Sequence, residues 1–517
     1  MAGCRYENFR ARDDAVTAPA AGPRVIGPGE LGIQPDAGLP AGIGVDLDAD
    51  TRQIAADVLF GGSPARMLRL STAGLRALAE LRAGAVTSAA GAVLARRLTD
   101  TGLAHPRCVA AARVPDLTVV VPVRDRAGEL DRCLAAVGAG YRVLVVDDDS
   151  ADPAAVAAVC AARGARVVRR QVNGGPGPAR NTALRMIGTE FVAFLDSDCV
   201  PPPDWLSVLA GHFADPLVAA VAPRIVAAAQ GPVGSALDLG DRPARVAPLT
   251  RVAYVPTAAL LVRRAPLGDG FDEALRYGED VDLVWRLIEA GWRVRYEPAV
   301  RVAHADPESG AALLRRRFQY GTSAAPLTRR HRGSVAPLVL QPWPTITMAA
   351  LLARRPLTAG AAFAAATALL AARLRASGLP SGGVARPMAC GVWQTWLGTG
   401  RWCAQYAAPV LLAVIARPGG RNPAQRWGRR LAAGSLLAGP ALAQWARDRD
   451  GDPLRFTVVT LAGQAAYGAG VYAGCVRERI IAPVLPVIAW RPFEGLRTRP
   501  RARRAASRGR SQRAVTG

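Results

Sequence analysis

Two aspartates one residue apart, Asp196 and Asp198, carry the clearest chemistry in this chain. They follow an apolar run, Phe191 to Leu195, that reads as a buried parallel strand, and Pro201, Pro202 and Pro203 forbid its continuation. Carboxylates at this spacing suit a hard divalent cation, Mn2+ or Mg2+, which takes oxygen ligands and keeps water or phosphate oxygens in its shell. An isolated pair reads more readily as an acidic turn; its neighbours reverse that reading. The glycine-rich stretch from Asn173 to Asn181 precedes a helical pattern, where backbone N–H groups can approach phosphate or ribose. It lacks the Gly-Lys-Ser/Thr ending of a P-loop and does not follow the first strand, as a dinucleotide fingerprint must. Arg316 and Arg317 sit in a basic helix end that can bind phosphate oxygens or simply face water. His304 closes a late strand, either beside the cation or as a satisfied core histidine. Glu279 and Asp280 open an amphipathic pattern through Leu283, Trp285, Leu287 and Ile288, where acids also stabilise the helix dipole.

Buried strands alternating with helices position these groups. Leu117 to Val123 is an apolar run closed by charge, and Tyr141 to Val146 is a second that ends in Asp147, Asp148, Asp149 and Ser150. Helical patterns separate them from a third run at Arg166 to Val168. The alternation predicts an α/β domain with a mostly parallel sheet and right-handed crossovers. Ligands in such sheets bind outside the carboxyl ends of the strands, where the acids lie.

Four of these segments, in this order, resemble family 2 inverting glycosyltransferases of the GT-A fold. They are Val121-Pro122-Val123-Arg124, Val146-Asp147-Asp148-Asp149-Ser150, Asn173 to Asn181, and Asp196-Ser197-Asp198. The resemblance implies a UDP-sugar site built from Pro122, Arg124, Asp147, Asp148, Asn173, Gly177, Arg180, Asn181 and Asp196, with Arg316 and Arg317 beside the departing UDP. It implies a divalent cation on Asp196 and Asp198 with His304 alongside, and Asp280, next to Glu279, as the general base. Asp149 departs from the family, which has glycine there. The Gln-x-x-Arg-Trp segment of processive synthases is absent, which argues against a cellulose-synthase-like machine. Leu59 to Pro64 and Phe318 to Leu327 are similar to the mycofactocin-system glycosyltransferases. That group implies glucose transfer from UDP-glucose to a peptide-derived redox cofactor, building a β-linked chain. A membrane-associated glycosyltransferase of cell-envelope glycan or glycolipid is the alternative.

The 517 residues divide by pattern into a poorly ordered Gly/Pro-rich lead (1–45), a small winged-helix-like module (46–112), the catalytic domain (113–330), an apolar helical region (331–490) and a basic tail (491–517). In the module, Ser71 is placed to cap a helix through Leu75, Leu78 and Leu81, and Leu59-Phe60-Gly61-Gly62-Ser63-Pro64 resembles the peptide-recognition domains of ribosomal-peptide pathways. In the helical region, Leu357 to Ala372, Tyr406 to Ala416, Leu431 to Ala446 and Phe456 to Val476 are largely uncharged, and the last reads as the best spanning candidate. A net charge of +24, with an arginine-rich tail, fits an anionic membrane surface. Nucleic acid is disfavoured, because the basic residues are not interleaved with aromatics and the acid-tipped strands repel phosphate. The eight cysteines form no Cys-x-x-Cys pair, so a reducing cytosolic setting for the catalytic domain follows.

Overall fold

A computed structural model describes residues 22–111, 116–228, 235, 237–305, 309–418, 423–448 and 451–489. The basic tail and the first residues of the lead lie outside them.

The module opens with β1 (Gly44–Leu47) and continues through β2 (Arg52–Ala55), β3 (Val58–Gly61), β4 (Arg66–Arg69), α1 (Thr72–Ala83), α2 (Ala89–Thr101) and β5 (Ala104–Arg107). β2, β3 and β4 form an antiparallel sheet, and β5 returns to pair with β1. Ser71 caps α1 as expected, its hydroxyl accepting from Gly74 N–H at 3.2 Å. The lead differs from expectation. From residue 22 onward it is folded, with Ile26 N–H donating to Pro266, Trp292 Nε1 donating to Ile26, and Leu39 and Ile43 buried. Its prolines and glycines mark turns that lie on other elements rather than free chain.

The catalytic domain runs through β6 (Leu117–Val123), α3 (Ala127–Val137), β7 (Arg142–Asp148), α4 (Pro153–Arg163), β8 (Arg166–Arg170), α5 (Pro176–Met186), β9 (Phe191–Leu195), β10 (Cys199–Val200), α6 (Trp205–Ala210), β11 (Val218–Ala227), β12 (Ala244–Arg245), β13 (Ala259–Arg263), α7 (Glu279–Glu289), β14 (Arg293–His304), α8 (Gly310–Thr322) and α9 (Ala324–Arg330). One sheet holds the strands in the order β10-β14-β11-β13-β9-β6-β7-β8, with β12 on β14. β6 pairs parallel with both β7 and β9, so the chain reverses its direction of travel across the sheet at β6. The crevice at that reversal lies at the carboxyl ends of β6, β7 and β9. β9, β13 and β11 pair antiparallel, which makes the sheet mixed.

The module is locked to this domain through charge. Arg96 of α2 makes two bonds to Asp215, at 2.6 and 2.8 Å, with both groups buried. Asp100 receives Arg293, and Asp48, which His105 of the module also contacts, receives Arg242 and Arg251. In the Leu59–Pro64 segment, a Cβ on Gly62 (φ +83°) would lie 2.5 Å from the Thr101 carbonyl oxygen. That segment is therefore a joint against α2.

The last region comprises β15 (Val339–Leu340), α10 (Pro342–Leu352), α11 (Pro356–Ala376), α12 (Ala385–Trp402), α13 (Ala408–Ala416), α14 (Pro423–Asp448), α15 (Pro453–Glu478) and β16 (Val487–Ile488). Leu374, Leu379, Val384 and Met388 bury Val58 of the module, so α11 and the start of α12 rest on its sheet. The spanning candidate is corrected. Among the described helices α11, not α15, is long and apolar enough to cross a membrane, with a mean hydropathy of 1.5 over its best window. α15 spends Val471, Gly474 and Cys475 on the protein interior instead.

Removing one partner of a buried pair strands the other charge, so Arg96→Ala should cost about 3 kcal/mol. The check is the thermal midpoint, which should fall by several degrees, whereas the same change at the exposed Arg107 should leave it nearly unmoved.

Candidate active site

The carboxyl ends of β6, β7 and β9 gather the sequence-expected residues into two clusters. At the end of β7, Asp147 accepts from Ser150 N–H at 2.9 Å and from Arg169 at 2.7 Å. Asp148 accepts from Arg170 at 2.6 Å and from the N–H groups of Gly174 and Gly175 at 3.2 and 2.7 Å. The second acid thus clamps the glycine-rich loop to the strand end. Asp149 takes φ +65°, the left-handed conformation that glycine supplies in the family and that aspartate tolerates better than most residues. Pro122 sits beside Val146 near the end of β6, past the last pairing with β9. Arg124 donates to the Asn173 carboxamide oxygen at 2.8 and 2.5 Å, with the amide turned to present that oxygen.

The second cluster joins β9 to α7. Arg180, 2% exposed, donates to Asp196 Oδ1 at 2.7 Å and to Glu279 Oε1 at 3.1 Å. Gly177 packs its first-turn backbone against Glu279 and Phe271, where a Cβ would lie 3.4 Å from the glutamate side chain. Asn181 spends its amide on Phe271 N–H, Phe271 C=O and Glu273. Gly177, Arg180 and Asn181 therefore act as struts that hold the turn leading into α7. Asp280 sits one residue beyond Glu279, partly buried, with its own first-turn N–H donor from Val281 at 2.8 Å.

Burial raises both acids at the start of α7. For Glu279 the neighbouring Asp280 adds to the effect, and Arg180 opposes it. For Asp280 the Val281 N–H and Arg180 pull the other way. A carboxyl that is raised but still ionisable, beside a cleft, has the electrostatics of a general base.

The metal expectation rests on Asp196, Asp198 and His304. His304 is the antiparallel partner of Cys199, which sets its imidazole 3.7 Å from Asp198 Oδ1. Arg126 forms an ion pair with Asp198 from the other side. Among the described residues no three His, Cys, Asp or Glu side chains are already gathered into a cage. The donor set still fits a divalent cation that brings most of its shell as water and diphosphate oxygens, because Asp196 is about one third exposed and uses one oxygen on Arg180. Arg316 and Arg317 lie on α8, which faces these acids; the charges of Asp280, Asp196 and Glu279 all reach Tyr320 on the same helix.

Sequence reasoning did not single out Arg126, which pairs with Asp198, or His331, which braces α7. Buried His331 donates from its two ring nitrogens to Asp282 Oδ1 at 3.0 Å and to Glu289 Oε1 at 2.8 Å, and so ties α9 to α7. Burial works against its charge, but Asp282 and Glu289 overcome that and raise it to about 9 from 6.5. A histidine raised in the folded state gives its full stabilisation below the unfolded value and loses it as pH climbs through the folded one. His331→Gln should therefore cost roughly 2–3 kcal/mol near pH 6 and progressively less as pH rises from about 6.5 to about 9, above which little of the cost remains. Denaturation midpoints of both proteins across that range check this, and a pH-independent difference would mean the imidazole is neutral in the fold.

Comparison with known proteins places the chain in a family. The glycosyl transferase family 2 model matches residues 118–255. Over 488 residues the chain is 39% identical to the pre-mycofactocin glycosyltransferase of Mycobacterium tuberculosis, covering 87% of this chain and 98% of that protein. The succinoglycan biosynthesis protein ExoO of Rhizobium meliloti is 31% identical over 260 residues, 43% of this chain and 74% of that one. A mannosyltransferase from Pyrobaculum calidifontis, solved with GDP-Man and Mn2+, is 21% identical with a TM-score of 0.34, covering 66% of this chain and 90% of that one. By its identity across nearly the whole mycobacterial protein, the chain belongs to glycosyl transferase family 2, within its mycofactocin-system branch.

Proposed function

We propose that this glycosyltransferase moves glucose from UDP-glucose to a hydroxyl of pre-mycofactocin, the peptide-derived precursor of a redox cofactor, with inversion at the anomeric carbon. The observation that carries the reading is the Arg180 bridge. It holds Asp196, on the donor side, and the Glu279-Asp280 turn, on the acceptor side, at a fixed separation across one crevice. The near full-length likeness to a pre-mycofactocin glycosyltransferase supports the acceptor.

In this reading the uracil lies at the β7 end, against Asp147, Asp148 and the Pro122–Arg124 segment, with Asn173 on the loop beside it. A divalent cation, Mn2+ or Mg2+, held by Asp196 and Asp198 with His304 alongside, would supply charge that steadies the diphosphate. Asp280 takes the proton of the acceptor hydroxyl as its oxygen forms a bond to the anomeric carbon. The bond to UDP breaks on the opposite face, so an α-linked donor yields a β-linked product. Arg316 and Arg317 meet the negative charge left on the diphosphate. Glu279 stays paired with Arg180 and keeps the turn in register.

We place the enzyme at the cytoplasmic face of the cell membrane, with an anionic lipid surface as partner. Exposed Leu357 and Leu369 on the apolar α11, and the net positive charge, support this placement. The same features suit an envelope glycan or glycolipid acceptor, and incubation with both acceptor types separates the two readings.

Calorimetry should show UDP-glucose binding that strengthens with Mn2+ and is lost in Asp196→Ala. Asp280→Asn should keep that binding while kcat for transfer falls about 10³-fold; undiminished turnover would remove Asp280 from the base role. Because burial raises Asp280, the acid limb of the wild-type pH–rate profile should lie above the ordinary carboxylate range. The full chain should also float with phosphatidylglycerol-containing vesicles and not with neutral ones.

A further inference from the structure

α8 lies between the C-terminal helices and the turn that presents the catalytic acids. It meets α15 at glycines. A Cβ on Gly321 would sit 2.1 Å from the Tyr467 carbonyl oxygen, one on Gly470 1.9 Å from that of Phe318, and one on Gly474 2.7 Å from that of Thr322. Backbone therefore touches backbone, and a side chain at any of these positions would push the helices apart. At the junction of α8 and α9, a Cβ on Gly278 (φ +80°) would lie 2.8 Å from the Ser323 side chain. Gly278 is the residue before Glu279. A chain of direct contacts thus runs from α15 through α8 and Ser323 to the start of α7.

Three tyrosines from three separate elements converge where these pieces meet. Tyr254 lies on the loop entering β13, Tyr320 on α8 and Tyr467 on α15, and all three are half-buried. Tyr254 lies within electrostatic reach of Asp280, of both other phenols and of Arg317. Tyr320 lies within reach of Arg316, Asp280, Asp196 and Glu279. Tyr467 faces Arg317, whose Nε is 4.0 Å from where a Cβ on Gly463 of α15 would stand. No hydroxyl of the three has a hydrogen-bond partner among the described residues. Burial holds Tyr254 and Tyr320 protonated, with Tyr320 pushed up to about 12, so both remain O–H donors at neutral pH. Half-buried donors left unspent beside a base are the sparse polar groups by which a pocket orients a ligand.

We propose that Tyr254, Tyr320 and Tyr467 form the acceptor subsite, donating hydrogen bonds to the oxygens of an oxygen-rich acceptor and turning its attacking hydroxyl toward Asp280. The helical C-terminal region, through α15, then contributes a binding residue to the active site. This assignment rests on Asp280 as the base and deepens that reading.

The test uses the full-length protein, UDP-glucose and pre-mycofactocin as the acceptor probe, with Tyr467→Phe and Tyr320→Phe as variants that keep the ring and lose only the hydroxyl. Each should raise the acceptor KM about tenfold, the worth of one ordinary hydrogen bond. The Kd for UDP-glucose, the slow hydrolysis of UDP-glucose without acceptor and the thermal midpoint should stay at wild-type values. An unchanged acceptor KM in both variants overturns the assignment while wild-type transfer upholds the function. Equal losses of donor and acceptor affinity also overturn it, because that pattern marks a structural role. Failure of the wild type to glucosylate the probe overturns the functional reading, and the assignment with it.

Discussion

A single buried guanidinium holds the site together. Arg180 lies under the crevice with Asp196 on one arm and Glu279 on the other, and the field of Asp280 reaches it as well. Burial works against its charge, and the three acids outweigh that cost. Taking any one partner away would leave a charge in low dielectric without compensation, which is far more costly than the pair is favourable. The bridge is therefore a constraint on geometry before it is a source of stability. It couples the β9 end to the α7 start, the two places where donor and acceptor chemistry are expected, and leaves neither free to drift.

The same device recurs at larger scale. Arg96 on Asp215, Arg293 on Asp100 and the two arginines on Asp48 fasten the module to the sheet domain. α11 and α12 then close over the module's sheet, while α15 closes over α8. A chain that reads as five successive segments is thus cross-braced: its N-terminal and C-terminal thirds touch each other as well as the catalytic domain. On the face of the module's sheet at Val58, Leu374 and Met388 pack in place of solvent.

Much of this was legible in the sequence, and the reason is locality. A strand ending in acids, a glycine before a helix, or Ser71 before an amphipathic run states its structure within a few residues, because the deciding contacts are short-range. The parallel order of β6, β7 and β8, and the place of Asp147, Asp148, Asp196 and Asp280, follow from such signals. What stayed hidden was set by partners far along the chain. Asn181 looks like a ligand until Phe271 appears across from it, and the lead looks unstructured until Trp292 and Pro266 are seen to receive it.

The helical region shows the limit of pattern most plainly. Phe456 to Val476 reads in the sequence as the longest uncharged run, yet of the two helices only Pro356 to Ala376 is apolar enough for a membrane span. The difference lies in glycines. Gly468, Gly470 and Gly474 let α15 approach Gln405, Phe318 and Thr322 to backbone contact, distances that are useful only against another helix. α11 has no such demand at Gly360, where a Cβ would meet nothing. Small residues in an apolar helix are thus a sign of which neighbour it must touch, and in α15 that neighbour is the helix bearing Arg316, Arg317 and Tyr320. A helix long enough to span a bilayer is instead packed, through those glycines, against the helix that faces the acids at the start of α7.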